Sequence, residues 1–209
     1  MRMETVHYSE ASHTRIPPFR RCTRLIAFHL GLLIFGHLAI APRGRAQDSH
    51  SEYQVKAAYL FNFLKFVEWP EGAFADPLAP IVIGIVGDDP FEDALPQVVV
   101  GKTVQGRDLV IRKYRVGEDL RTSHILFISA SEKRRLPQLL AGLRGSNVLT
   151  VADFEGFLEE GGMIQLFSEN NRVRFAINVD AAVRAKLKLS SKLLSLARVV
   201  GENEKKSGS

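Results

Sequence analysis

One cysteine, Cys22, stands in the whole chain, ahead of an apolar run near the N-terminus. Beyond it no disulfide and no thiolate metal site can form, so stability has to come from an ordinary core. Histidine is almost as scarce: after the first 46 residues only His50 and His124 remain, and no pair has metal-ligand spacing. Glycine-rich phosphate loops are missing too. Gly84, Gly87 and Asp88 follow an apolar run, but neither the three-glycine dinucleotide fingerprint nor a Lys-Ser/Thr pair accompanies them, and they read as a tight strand-to-helix turn. Ser129 and Ser131 lie in no nucleophile elbow, with His124 the one ordered candidate base. Net charge is also absent from the body of the chain. Residues 1–46 hold seven Arg against Glu4 and Glu10; taken from totals of 28 basic and 23 acidic, these leave 21 of each sign in the other 163 residues. The formal +5 therefore belongs to the N-terminus, and no electrostatic argument for nucleic acid or an anionic surface survives.

What is present begins with that N-terminus. Arg20, Arg21 and Arg24 precede an apolar run from Leu25 to Ile40, and small residues follow, ending in Gly44-Arg45-Ala46. This order predicts a cleavable secretory signal peptide over 1–46, because 16 residues interrupted by His29 and His37 are short for a span of about 20. A polar lead is expected over 47–51, one α/β domain over 52–200, and a disordered tail over 201–209 (GENEKKSGS). A domain of that size buries roughly 70% of its unfolded surface without covalent staples.

Residues 53–70, YQVKAAYLFNFLKFVEWP, form a helix apolar on nearly every side, expected over Glu52–Glu68 and stopped by Pro70. Gln54, Lys65 and Glu68 share one stripe of its wheel with Asn62 beside it, and Lys56 falls on the opposite side. Lys56 is either a snorkelling lysine with its ammonium in water or a paired charge inside a surface. One helix cannot turn Phe61, Phe63, Phe66 and Trp69 all toward one sheet; they fill the core, or one or two stay out as an interface anchor.

Ile81–Gly87 reads as a strand buried on both faces, Leu109–Tyr114 and the apolar His124–Ser129 as two further strands, Val148–Val151 as a short strand, and Met163–Ser168 with Arg172–Asn178 as a hairpin. Helices are expected after Asp89-Pro90, over Glu132–Leu143, Asp153–Glu159 and Val179–Val199. The fold class is α/β, a single-domain sandwich with a largely parallel sheet flanked by helices and one antiparallel hairpin. Asp88 and Asp89, at the carboxyl end of the first long strand, line a plausible cleft. Arg172 and Arg174 share a strand face and are either solvent-facing charges or a two-pronged site for a carboxylate.

In order along the chain, YQVKAAYLFNFLKFVEWP, IVIGIVGDDPF, GGMIQLF and NRVRFAINVDAA resemble the YfiR family from about Tyr53 to Val200. The matching positions are Lys56, Asn62, Phe63, Lys65, Phe66, Trp69, Pro70, Gly161, Gly162, Arg174, Phe175 and Asn178. The resemblance implies a non-enzymatic periplasmic regulator, often a homodimer, without cofactor or metal. Its partner would be the periplasmic domain of a membrane-bound diguanylate cyclase or sensor kinase, with an outer-membrane lipoprotein as a second partner and cyclic di-GMP as the output. The disulfide tuning of the best-known member cannot carry over to this chain. Expected partner or ligand contacts are Lys56, Phe63, Phe66, Trp69, Asp88, Asp89, Arg172 and Arg174. Two other readings are a periplasmic small-molecule receptor with its ligand near Asp88, Asp89 and Arg174, and an exported hydrolase, which needs a nucleophile and base within reach.

Overall fold

The alternation of buried apolar runs with amphipathic segments produces a sheet covered on both faces. The computed structural model describes residues 44–115 and 117–201, so all of the expected signal peptide but residues 44–46, and all but the first residue of the tail, lie outside the described residues. Helix α1 (Gly44–Phe66) leads into the two-residue strand β1 (Val67–Glu68), and then come β2 (Ile81–Val86), α2 (Ala94–Val99), β3 (Thr103–Val104) and β4 (Arg107–Tyr114). Strand β5 (Ile125–Ile128) is followed by a 3-10 turn (Ala130–Arg135), α3 (Leu136–Gly142) and β6 (Leu149–Ala152). The chain ends with β7 (Ile164–Glu169), β8 (Arg172–Asn178), α4 (Val179–Arg184), β9 (Lys188–Leu189), α5 (Ser191–Leu196) and β10 (Arg198–Val200).

The main sheet has the order β10-β8-β7-β6-β5-β2-β4-β3. Strands β4, β2, β5, β6 and β7 run parallel, β8 returns antiparallel to β7, and β10 adds parallel to β8. The strand period of two sends Ile81, Ile83, Ile85, Ile125, Phe127, Leu149 and Val151 to the face covered by α1, α2 and α4. Val86, Leu126, Ile128 and Ala152 face α3 and the segment 154–158 on the other side. Gly84 sits in the middle of β2 because the Tyr114 ring lies against it: a Cβ there would stand 2.7 Å from Tyr114 Cε2. The β7–β8 hairpin turns through Asn170 and Asn171, at φ +52° and +56°, the left-handed pair that two-residue hairpins require.

Several expected helices are replaced, each time by a left-handed residue. The segment after Asp89-Pro90 does not become helical until Ala94, since Glu92 has φ +50°, and Asp89 Oδ1 instead accepts from the Phe91 amide at 2.9 Å. Gly156, at φ +88°, leaves Asp153–Glu159 as turns. The long helix expected over Val179–Val199 is broken at Lys186, φ +58°. There the Lys186 and Leu187 amides donate to the Val183 and Ala182 carbonyls, a Schellman ending, and the remaining residues become β9, α5 and β10. Residues 47–51, expected as a polar lead, lie within α1, as does the expected cleavage point after Ala46.

Candidate functional site

On the inner side of α1, Lys56 is 5% exposed. Its ammonium does not snorkel: it lies 2.7 Å from Asp153 Oδ2 and 2.7 Å from Glu52 Oε1. Asp153 immediately follows β6, so this bond ties the first helix to the carboxyl edge of the sheet. The Tyr53 hydroxyl donates to the same Asp153 oxygen at 2.9 Å, and Lys56 Nζ stands 4.3 Å from the centre of the Tyr53 ring. Burial first, and the Asp153 charge second, push the Tyr53 hydroxyl far above its ordinary range, so it remains a donor. The Glu52 carboxyl is held below its usual range, chiefly by the hydrogen bond from Lys56. A lysine closed between two carboxylates is a structural tie rather than a nucleophile awaiting substrate.

At the other end of the helix a second cluster forms under the segment 70–80. Phe74 stacks on His124 with centroids 4.4 Å apart, and Trp69 meets both rings edge-on. Arg107 clamps the segment, its guanidinium carbon 3.8 Å from the Phe74 centroid and Nη1 donating to the Asp76 and Ala79 carbonyls at 3.0 and 2.7 Å. His124 Nδ1 accepts from the Val82 amide at 3.0 Å, which fixes the neutral tautomer. Burial lowers the His124 pKa, a backbone hydrogen bond with Ala73 opposes this, and the Arg107 charge adds to the lowering. Beside this cluster, at the amino ends of β2, β5 and β6, opens a cleft of about 430 Å³ lined by Gly72, Ala73, Val82, Arg121, His124 and Asn147 among others.

The expected site residues are thus dispersed. Phe63 is in the core at 1% exposure, whereas Phe66 and Trp69 are half-buried. Asp89 pairs with Lys113 at 2.7 Å, and Asp88 donates its backbone amide to Ser131 Oγ at 2.9 Å. Arg174 and Arg198 grip Glu169 at 3.0 and 2.9 Å, so the carboxylate that Arg174 holds is the chain's own. Arg172 borders a groove of about 670 Å³ with Glu52, Val55, Tyr59 and Ser168. Asp88 and Asp89 follow β2 while Arg174 lies on β8, four strand spacings or roughly 19 Å away. These three therefore do not stand side by side, and the cleft at the amino ends of the strands lies at the opposite edge of the sheet from Asp88 and Asp89. Ser129 and His124 stand at opposite ends of β5, out of hydrogen-bond reach. Among the described residues no group of His, Cys, Asp or Glu could hold a metal, and no helix is long and apolar enough to cross a membrane.

Two residues of the buried tie escaped the sequence reading. Glu52 was accessible as the i,i+4 partner of Lys56. Asp153 carried a weaker signal, an acid directly after a strand buried on both faces.

The geometry that ties α1 to the sheet is matched by a family signature over the same residues: positions 53–198 fit the family described as YfiR/HmsC-like (DUF4154). The chain belongs to the YfiR/HmsC-like family. No curated protein matches it significantly. Among solved structures, the crystal structure of a conserved domain protein from Vibrio cholerae O1 biovar El Tor str. N16961 is similar at 10% identity and a TM-score of 0.49, over 72% of this chain. The chain spans 60% of that protein's length.

Proposed function

We propose that this YfiR/HmsC-like protein is a non-enzymatic periplasmic regulator. It binds the periplasmic sensor domain of an inner-membrane signalling enzyme, a diguanylate cyclase or a sensor kinase, and represses it. The observation that carries this reading is the family match from Tyr53 to Arg198, most of the described residues. The residue chemistry supports it: among the described residues the one buried lysine is closed by carboxylates, and Ser129 lies at the opposite end of β5 from His124. Regulation by such a protein is limited to the difference in its affinity for the enzyme's two conformations. Half-buried Phe66 and Trp69 are the aromatic contacts offered to the partner, while Phe63 serves by holding α1 in place.

The test is to delete the gene and measure cyclic di-GMP, together with the phosphorylation state of neighbouring kinases, and to isolate membranes over the tagged protein. A rise in the output and recovery of an enzyme with a periplasmic domain are expected. Unchanged output with no such enzyme recovered, where it is expressed, would defeat the reading.

A second reading, a small-molecule receptor, is favoured by the 430 Å³ cleft beside His124. In that case ligand binding beneath the segment 70–80 gates the partner, and a ligand-induced rise in melting temperature is the measurement that detects it.

A further inference from the structure

The outer face of α1 has a chemistry that the family match does not specify. Along its ridge the exposed residues Gln54, Val55, Asn62 and Lys65 flank half-buried Ala58, and the nearest exposed acid along the stripe, Glu68, lies past the end of the helix in β1 and forms no ion pair with Lys65 among the described residues. At its carboxyl half, three ammonium groups from three separate elements converge on two rings of the helix. Lys65 and Lys102 stand 4.1 and 4.8 Å from the centre of Phe61, and Lys192 of α5 stands 5.5 Å from that of Phe66. Phe61 is left only 8% exposed beneath its two lysines. Lys65 also donates to Asn62 at 3.3 Å. Among the described residues none of the three ammonium groups has a carboxylate within ion-pair distance, although Lys56, Lys113, Arg135, Arg174 and Arg198 all do.

The helix C-terminus accounts for one cation, since Lys65 lies in its last turn and offsets the dipole. It does not account for Lys102, from the segment between α2 and β3, or for Lys192. Nor does net charge, because the chain after the leader is balanced.

We infer that this ridge is the docking surface for an acidic protein segment, whose carboxylates replace the ring faces as partners of Lys65, Lys102 and Lys192. The inference rests on the regulator reading and names the chemistry of its partner. A lipid surface is the poorer fit, because membrane-lying helices expose large apolar side chains and here the rings are roofed by ammonium groups. Rim charges of this kind act on the rate of encounter and on choice of partner.

The full chain, expressed in its own cells with a photoreactive phenylalanine analogue at Asn62 and separately at exposed Arg134 on the opposite side of the sheet, provides the test. Irradiation should join position 62 to a periplasmic domain of a membrane enzyme at a peptide rich in Asp and Glu. Combining Lys65→Glu with Lys192→Glu should lower that adduct by about tenfold or more, the equivalent of one lost charge pair. Reversing the mapped carboxylates to lysine should restore it. Should the doubly substituted chain fold poorly, falling adduct yield with rising salt in the unsubstituted chain makes the same point. An adduct with phospholipid, with a second copy of this chain, or with a peptide lacking acids overturns the inference, as does a yield indifferent to both charge reversal and salt. An adduct from Arg134 alone moves the interface and leaves the regulator reading standing, whereas none from either position removes both.

Discussion

Replacing Asp153 with asparagine separates a buried ion pair from its surroundings with little change of shape. The amide oxygen that remains can still accept from Tyr53, so the loss is concentrated on Lys56, whose side chain and that of Asp153 are each 6% exposed. Removing one partner of such a pair costs about 3–5 kcal/mol, because the other charge stays buried. Glu52 remains at 2.7 Å, but its side chain is 37% exposed, and a pair so open to solvent is worth about 0–1 kcal/mol. The expected cost of Asp153→Asn is therefore near the lower end, about 3 kcal/mol. Lys56→Met strands the Asp153 charge instead and should cost about 3–4 kcal/mol. The double variant buries no charge, so its loss should fall short of the sum by about 2–3 kcal/mol. Urea unfolding of all four proteins, followed by tryptophan fluorescence and circular dichroism, measures these differences. For a domain of this size each kcal/mol also moves Tm by about 2–4 °C, so Asp153→Asn should melt about 6–12 °C lower. Single variants each costing under about 1 kcal/mol, or strict additivity, would mean that the ammonium is solvated and the argument for a tie is wrong.

Three further outcomes follow from the sheet and its covering segment. His124 has a lowered pKa in the folded state, so the stability it contributes is complete above its unfolded value of about 6.5 and is lost as pH falls toward the folded value. Urea midpoints at pH 7 and pH 5 should differ less for His124→Asn than for the parent, and equal differences would exclude His124 as the source; the lowered Glu52 carboxyl acts only below its ordinary value of 4.5. Gly84→Ala forces a Cβ to 2.7 Å from the Tyr114 ring and 2.9 Å from Leu126 Cδ1, and should cost about 1–3 kcal/mol by denaturant unfolding. Trp69 is the chain's single tryptophan and sits under the segment that Arg107 clamps, so Arg107→Ala should shift its emission to the red and speed proteolysis within 71–80; unchanged emission would show that the clamp is dispensable.

Helix α1 was largely legible because its wheel is a local property. Gln54, Asn62 and Lys65 are exposed, and Lys56 lies opposite them, as the spacing requires. The central parallel strands β2 and β5 were equally plain, since each is a continuous apolar run between turn residues, whereas β4 carries Arg112 and Lys113. Two kinds of feature were hidden. Glu92 and Lys186 take left-handed backbone with side chains that give no warning; the first delays the start of α2 to Ala94 and the second ends α4 where the apolar period ran on. Long-range pairing was hidden as well: Asp153 is 97 residues from Lys56, and β10 finds its place beside β8 only through the break at Lys186. The strand order was hidden with it: Asp88 and Asp89 follow β2 and Arg174 lies on β8, with β5, β6 and β7 between them.

Strand β1, directly behind the aromatic helix, pairs with β9: Val67 opposes Leu189, and the Ser190 amide donates to the Phe66 carbonyl. A ribosome makes the helix first and its last covering segment at the end. Every unfinished chain therefore carries Phe61, Phe63 and Phe66 without their final cover, and pairing of such distant residues is slow. Closing the aromatic helix into the core is thus a late event in the life of the nascent chain, completed only once β9 and Ser190 are available to pair with β1 and Phe66.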